Sequence, residues 1–298
     1  MLLNLLFPNN FSDYELLDCG NFEKLERFGK YVTRRPEPKA VWSPSMPEAE
    51  WRKLAHAAFV HERGERSNPD ERGTWSLKSG TPDRWLVSYR HSGLDIKLRL
   101  GLTSFKHLGV FPEQASNWDF IFSAAKNFKK RDAKVLNLFA YTGGASLAAR
   151  AAGADVTHLD AIKQTVTWAN ENQQVSGLDG IRWLVDDALK YVQRQVRRGT
   201  KFSGIILDPP AYGRGPDGER WLLGEGILEL LCGVEKMLEP RDSFLVLNLY
   251  ALGFSSVVCD TLVRSVFGDT KQRESGELAV EDSFGKKLPL SVFTRLVR

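Results

Sequence analysis

From residue 134 onward the chain alternates apolar runs with stretches that carry apolar residues at helical spacing. The runs fall at 134–139, 154–159, 181–185, 202–207 and 243–249, and helical segments fill the gaps. Such alternation is the signature of a parallel sheet with helices on both faces. A helix around 254–267 leads to two more runs, 271–280 and 289–297, joined by Glu281-Asp-Ser-Phe-Gly285. These last two read as a closing hairpin. The pattern predicts an α/β fold with a doubly wound, seven-stranded, mostly parallel sheet.

Upstream the pattern differs. Residues 12–110 are broken by Gly and Pro, carry Trp42, Trp51, Trp75 and Trp85, and contain short alternating runs at 84–89 and 94–100. Thr81-Pro82 and Ser92-Gly93 mark turns beside these runs, so antiparallel strands are expected. Phe111-Pro112 then opens a segment in which Trp118, Ile121, Phe122 and Ala125 recur at helical spacing. Three parts follow: a small β-rich domain over 1–110, a connecting helix within 111–133, and the α/β domain over 134–298. Met1-Leu-Leu-Asn-Leu-Leu-Phe7 is apolar but lacks the basic leader and cleavage site of a signal peptide. A packed or frayed terminus is expected there.

Composition narrows the function classes. With 298 residues and 42% hydrophobic content the chain can bury a large core. No window approaches the ~18 apolar residues of a membrane span. Cys19, Cys232 and Cys259 are few and far apart, which fits reduced thiols in the cytoplasm. The five histidines form no HExxH pattern and no cysteine pair has ligand spacing, so no metal is expected. A net charge of +4 tolerates a polyanionic partner without demanding one.

The chemistry gathers at the ends of the predicted strands, where open α/β sheets bind ligands. The first strand, in Lys134-Val-Leu-Asn-Leu-Phe-Ala-Tyr-Thr-Gly-Gly-Ala145, breaks at Gly143 and Gly144 into an alanine-rich helix. A glycine turn before a helix lets a ligand approach the backbone and meets it with free N–H groups and a positive dipole end. The second strand ends in Asp160, suited to two ribose hydroxyls, and the third runs into Asp186 and Asp187, where Asp187 can accept from an adenine amine. Each has a structural alternative: a tight turn, a cap for the helix near Ile162, an N-cap for the helix over 188–197. Their occurrence at three consecutive strand ends favours a nucleotide, and the absence of Gly-x-Gly-x-x-Gly and of Gly-Lys-Ser/Thr points to S-adenosylmethionine over a dinucleotide or a P-loop ligand. The candidate contacts are Phe139, Tyr141, Thr142, Gly143, Gly144, Asp160, Asp187 and Ala188.

The fourth strand ends in Asp208-Pro-Pro-Ala-Tyr212. Its prolines stiffen the backbone, and a rigid turn rich in acceptors can hold an amino group in line with a sulfonium methyl. Asp208, Pro209 and Tyr212 are the catalytic candidates, with Asp208 also facing the cofactor and Tyr212 able to stack on a base. Alternatively the prolines merely end a strand.

Val135-Leu-Asn-Leu-Phe-Ala-Tyr-Thr-Gly-Gly, Leu159-Asp160, Asp187-Ala-Leu-Lys-Tyr-Val and Asp208-Pro-Pro resemble the class I S-adenosylmethionine-dependent methyltransferases, whose fold is Rossmann-like. Phe105-Lys-His-Leu-Gly-Val-Phe-Pro-Glu-Gln114 is similar to the linking segment of the bacterial large-subunit ribosomal-RNA methyltransferase group. Asp13-Tyr-Glu-Leu-Leu-Asp-Cys-Gly and Lys24-Leu-Glu-Arg-Phe-Gly resemble a bacterial branch with Asp-Pro-Pro-x-Tyr/Phe-Gly-Arg-Gly. The resemblance implies an RNA substrate, an N-terminal RNA-binding module, and a cofactor contact at residue 113 or 114, taken as Gln114. The cytosine-C5 enzymes of the group carry a cysteine just after the fifth strand, where this chain reads Leu245-Val-Leu-Asn-Leu-Tyr250. Ring-carbon methylation needs that nucleophile, so a nitrogen or oxygen acceptor is expected.

Lys126, Lys129, Lys130, Arg131 and Lys134 precede one strand, and Arg194, Arg197, Arg198 and Lys201 another, on the side away from the cofactor. A solvated rim is the simpler reading of both clusters. Arg34, Arg35 and Arg214 are the better phosphate candidates. The expected activity is methyl transfer to RNA, against two rivals: a protein or small-molecule acceptor, and a non-catalytic RNA-binding or assembly factor.

Overall fold

The computed structural model describes residues 3–61, 72–129, 132–250, 253–270 and 272–298. The N-terminal part runs β1 (Leu3–Leu6), β2 (Tyr14–Gly20), β3 (Glu23–Phe28), β4 (Tyr31–Pro36), α1 (Glu48–Leu54), β5 (Ala57–His61), β6 (Gly73–Leu77), β7 (Arg84–His91) and β8 (Leu94–Gly101). A single tight turn, Pro112–Gln114, then leads into α2 (Ala115–Lys126). The α/β part follows as β9 (Lys134–Leu138), α3 (Gly144–Ala151), β10 (Asp155–Asp160), α4 (Lys163–Val175), β11 (Ile181–Val185), α5 (Ala188–Arg197) and β12 (Gly204–Leu207). The chain closes with β13 (Tyr212–Arg214), β14 (Arg220–Leu222), α6 (Leu223–Met237), β15 (Phe244–Leu249), α7 (Ser256–Phe267), β16 (Gln272–Glu281) and β17 (Lys287–Val297).

All seven expected strands lie in one sheet of order β1-β16-β17-β15-β12-β9-β10-β11, with the closing hairpin antiparallel. The eighth strand, β1, comes from the N-terminus and pairs in parallel with β16, so that segment is neither frayed nor merely packed. Lys271, at the start of the predicted hairpin, and Met1 and Leu2 lie outside the described residues. Because β9, β10 and β11 run to one side and β12 and β15 lie on the other, the chain reverses direction across the sheet between β9 and β12. A crevice opens at that point beyond the carboxyl ends of the strands. The register levels its rim: Leu138 pairs with Leu159 and Leu207, and Leu207 with Leu247.

The strands form because they are buried on both faces. Phe244–Leu249 is buried throughout, with α6 and α7 on one side and α2 on the other. The β7–β8 ribbon covers the outside of α3 and α4: Lys97 N–H donates to Ser176 Oγ at 2.9 Å and Arg99 N–H to Asn172 Oδ1 at 2.7 Å. A mixed five-stranded sheet, β2-β3-β4-β5-β6, stands beside this body and joins it where Lys286 Nζ donates to Asp18 Oδ1 at 2.7 Å. Lys134 opens β9 and Lys201 precedes β12, so those members of the basic clusters sit at the amino ends of the strands, away from the crevice; Lys130 and Arg131 lie outside the described residues. Among the described residues no helix is long and apolar enough to cross a membrane.

Candidate active site

The loop from β9 to α3 forms one wall of the crevice, and its backbone is unusual. Phe139, Tyr141 and Gly143 all have positive φ, at 56°, 48° and 88°. Left-handed aromatic residues are costly and persist only where the surroundings over-determine them. Here the surroundings are explicit. Tyr141 N–H donates to Asp160 Oδ2 at 2.9 Å, Thr142 Oγ1 to Gly109 O at 2.6 Å, and Asn172 Nδ2 to Thr142 O at 2.9 Å. The helix that follows has no side-chain cap, so its first N–H groups and dipole open into the crevice beside Gly144 and Ala145.

The crevice so formed brings together Gln114, Phe139, Tyr141, Thr142, Gly143, Gly144 and Asp208 from the sequence-predicted set. Asp160, Asp187, Ala188, Pro209 and Tyr212 do not line it. Asp160 uses its carboxylate locally, accepting also from Ile162 N–H at 2.9 Å and Thr165 Oγ1 at 3.0 Å, and burial raises its pKa against those bonds. Ala161 N–H also stands against it, so most of its roughly four lone-pair positions serve the loop. Asp187 caps α5, accepting from Lys190 N–H at 2.8 Å, the structural reading of that residue. Exposed Ile162 and Val185 flank these two acids with apolar surface. Pro209 is buried, whereas Tyr212 is 49% exposed on the β13–β14 ribbon with Arg214.

Gly144 has a different reason from the one its sequence suggests. A Cβ there would stand 2.8 Å from the Trp118 ring of α2, so the missing side chain lets α2 and α3 pack. Gly143 does need its conformation, at φ 88° with Ala169 Cβ 3.1 Å from a notional Cβ.

Asp208 stands at the floor, surrounded by protein but open to the cavity. Its described side-chain partner is Asn248, whose Nδ2 donates to Asp208 Oδ1 at 2.7 Å, and Asn248 Oδ1 in turn accepts from Ser291 Oγ at 3.0 Å. Desolvation pushes the Asp208 carboxyl up to about 6, with the Asn248 bond opposing. A carboxyl of perturbed affinity in a cleft is a functional candidate.

The matching family is decisive: residues 55–262 match the S-adenosylmethionine-dependent methyltransferases. The chain belongs to that family. Among solved structures, a methyltransferase from Agrobacterium tumefaciens is 36% identical with a TM-score of 0.90, covering 100% of this chain and 94% of that one. Another, from Streptococcus mutans, shares the fold at 17% identity and a TM-score of 0.70, covering 97% of this chain and 76% of the other. A ribosomal RNA large subunit methyltransferase K/L of Shewanella frigidimarina is 31% identical over 156 residues, 51% of this chain. That match spans only 21% of the relative's own length.

Several residues of this methyltransferase's cavity escaped the sequence reading. Asn248 was legible in principle, as the lone polar residue of an otherwise apolar, buried strand. Asn117 was not: it lies on α2, 1% exposed, its Nδ2 donates to Gln114 Oε1 at 2.8 Å, and its Oδ1 has no partner among the described residues. Below the glycine turn, Ser146 Oγ joins Asn137 Nδ2 at 2.9 Å and His158 Nδ1 at 3.0 Å. Burial lowers His158 to about 3, so this support is neutral. Arg34 and Arg35 are not free phosphate contacts. Arg34 pairs with Glu23 and Glu48 at 2.5 and 2.6 Å, and buried Arg35 pairs with Glu26 at 2.6 Å.

Proposed function

We propose that this chain transfers a methyl group from S-adenosylmethionine to RNA, ribosomal RNA first, at a nitrogen or oxygen atom, in the cytoplasm. The observation that carries the reading is Asp208, a half-buried carboxyl held by Asn248, sharing one cavity with an uncapped helix N-terminus and with Asn117 Oδ1, which has no partner among the described residues. These groups fit the cofactor's amino-acid end. The N–H groups of Gly144 and Ala145 receive its carboxylate, and Asn117 Oδ1 accepts from its ammonium. Asp160, at the end of β10, accepts in addition from a ribose hydroxyl, while Ile162 and Val185 offer apolar faces to a flat base near Asp187. When bound, the cofactor supplies an electrophilic methyl group on sulfur. Asp208 accepts a hydrogen bond from the acceptor and fixes it for attack, with Pro209 stiffening the backbone behind it.

Two facts support the choice of acceptor. The curated relatives are named for ribosomal RNA. No thiol lines the cavity: Cys19 and Cys259 are buried, with burial pushing both thiols up to about 12, and Cys232 is exposed on α6. A nitrogen or oxygen nucleophile needs no such thiol. The test is label transfer from methyl-tritiated S-adenosylmethionine to ribosomal RNA prepared from cells lacking the gene. Wild-type protein is expected to label it. Asp208→Ala should keep cofactor affinity and lose at least a hundredfold in transfer; an active variant contradicts the assignment.

A further inference from the structure

A two-stranded ribbon follows Asp208 directly. β13 and β14 pair through Tyr212 with Leu222, Gly213 with Trp221 and Arg214 with Arg220. The base of the ribbon is tied to the crevice. Leu223 N–H donates to Ala211 O at 2.9 Å and Trp221 Nε1 to Pro210 O at 2.8 Å, and the Trp221 ring lies 5.1 Å from that of Phe139, which lines the crevice. Side chains alternate between the two faces of a strand. Trp221 is buried, so its face packs inward, while Tyr212, Arg214 and Arg220 lie on the opposite face and are exposed.

That outer face sets two like charges directly opposite each other, an arrangement that destabilises an antiparallel pair. A two-stranded ribbon has little stability to spare. Among the described residues neither arginine forms an ion pair. The acids of the ribbon do not relieve them: Glu219 is held by Lys190 and accepts from Asp217 N–H at 3.0 Å, and Asp217 stands in the exposed turn. A polyanion laid across the outer face would offset the repulsion.

Resting on the function proposed above, we infer that the β13–β14 ribbon grips the phosphate backbone of the substrate RNA beside the target nucleotide. Arg214 and Arg220 each fork onto a phosphate, and the Tyr212 ring, two positions nearer Asp208 on the same face, stacks on a neighbouring base. The reach fits. Tyr212 is four residues from Asp208, which limits the separation of their Cα atoms to about 14 Å. The ribbon therefore lies within a few nucleotides of an acceptor held at Asp208. Cations beside an aromatic ring suit a strand that carries both phosphates and flat bases, whereas an acidic protein surface would use the charges and leave the ring idle.

The test is binding of fluorescein-labelled oligo(A) and oligo(U) RNAs of about twelve nucleotides to the full chain saturated with S-adenosylhomocysteine. Anisotropy is followed from about 50 to 200 mM KCl, where each phosphate contact to a single strand contributes ~0.7 to the slope of log Kd against log salt. Replacing both arginines, Arg214→Gln with Arg220→Gln, should lower that slope by about 1.4 and weaken both RNAs alike. Arg214→Lys with Arg220→Lys, which keeps the charges, should keep the slope. Tyr212→Ala should weaken binding about fivefold or more at an unchanged slope. The control, Arg197→Gln with Arg198→Gln, removes equal charge at the far end of α5 and should behave as wild type. S-adenosylhomocysteine affinity within about twofold of wild type shows that each variant is folded. An unchanged slope in the double glutamine variant, an equal fall in the control, or a glutamate-rich peptide that displaces the RNA at equal charge overturns the inference. Wild-type protein that binds neither RNA overturns it together with the RNA acceptor proposed above, whereas RNA binding with an unchanged slope in the glutamine variant counts against the ribbon alone.

Discussion

Asp160 holds the crevice loop as well as being the proposed ribose contact. Its carboxylate satisfies Tyr141 N–H at one end of a left-handed pair and Ile162 N–H at the start of the next loop. Removing it leaves a costly backbone conformation unsupported and deletes a charge-assisted bond worth ~1.5–3 kcal/mol. Asp160→Ala is therefore expected to weaken S-adenosylmethionine binding at least tenfold by calorimetry; unchanged affinity would contradict this role. Glu113 gives a pH signature. Its pKa rises from 4.5 to about 7 on folding, so the folded chain binds the extra proton between those values and stability falls as pH rises through them. Glu113→Gln should then raise stability at pH 8 by on the order of 1–3 kcal/mol, and the gain should vanish below about pH 4.5. Thermal melts at the two pH values check it, and an equal gain at both would refute the assignment.

The strand–turn–helix unit β9–α3 could be read from the sequence, but the reasons for its two glycines could not. Gly143 follows from local geometry, because a left-handed position needs no partner to be recognised. Gly144 depends on Trp118, which lies 26 positions earlier and meets it only once α2 has packed. Gly144→Ala should force that buried ring aside and cost about 1–3 kcal/mol, seen as a lower melting temperature with weaker cofactor binding. A variant as stable as wild type would show that α2 adjusts freely. The same distinction explains which strands were legible. β12 and β15 are apolar on both faces and announce themselves. β3 is not: Glu23–Phe28 reads polar, yet Lys24 and Glu26 point inward and are neutralised by Arg35 and Glu37. No hydrophobic pattern encodes that pairing. β1 was missed for another reason, as its four residues pair with β16 across Gly276, where a Cβ would come within 1.8 Å of Asn4 O.

In the whole molecule the N-terminal part is a component of the site rather than an appendage. It supplies β1 to the sheet edge, the β7–β8 ribbon over α3 and α4, the Gly109 carbonyl that anchors Thr142, and the charged wall behind Phe111. The alternation of strands and helices was legible because it rests on local sequence. The junction was not, since its contacts join residues far apart in the chain, such as Asp18 with Lys286. The identity of the methyl acceptor is best tested by digesting ribosomal RNA from a strain lacking the gene and comparing its nucleosides with the parent's by mass spectrometry. One nucleoside methylated at nitrogen or oxygen should disappear, returning with the wild-type gene but not with Asp208→Ala. An unchanged nucleoside profile, or loss of 5-methylcytidine alone, would contradict this account.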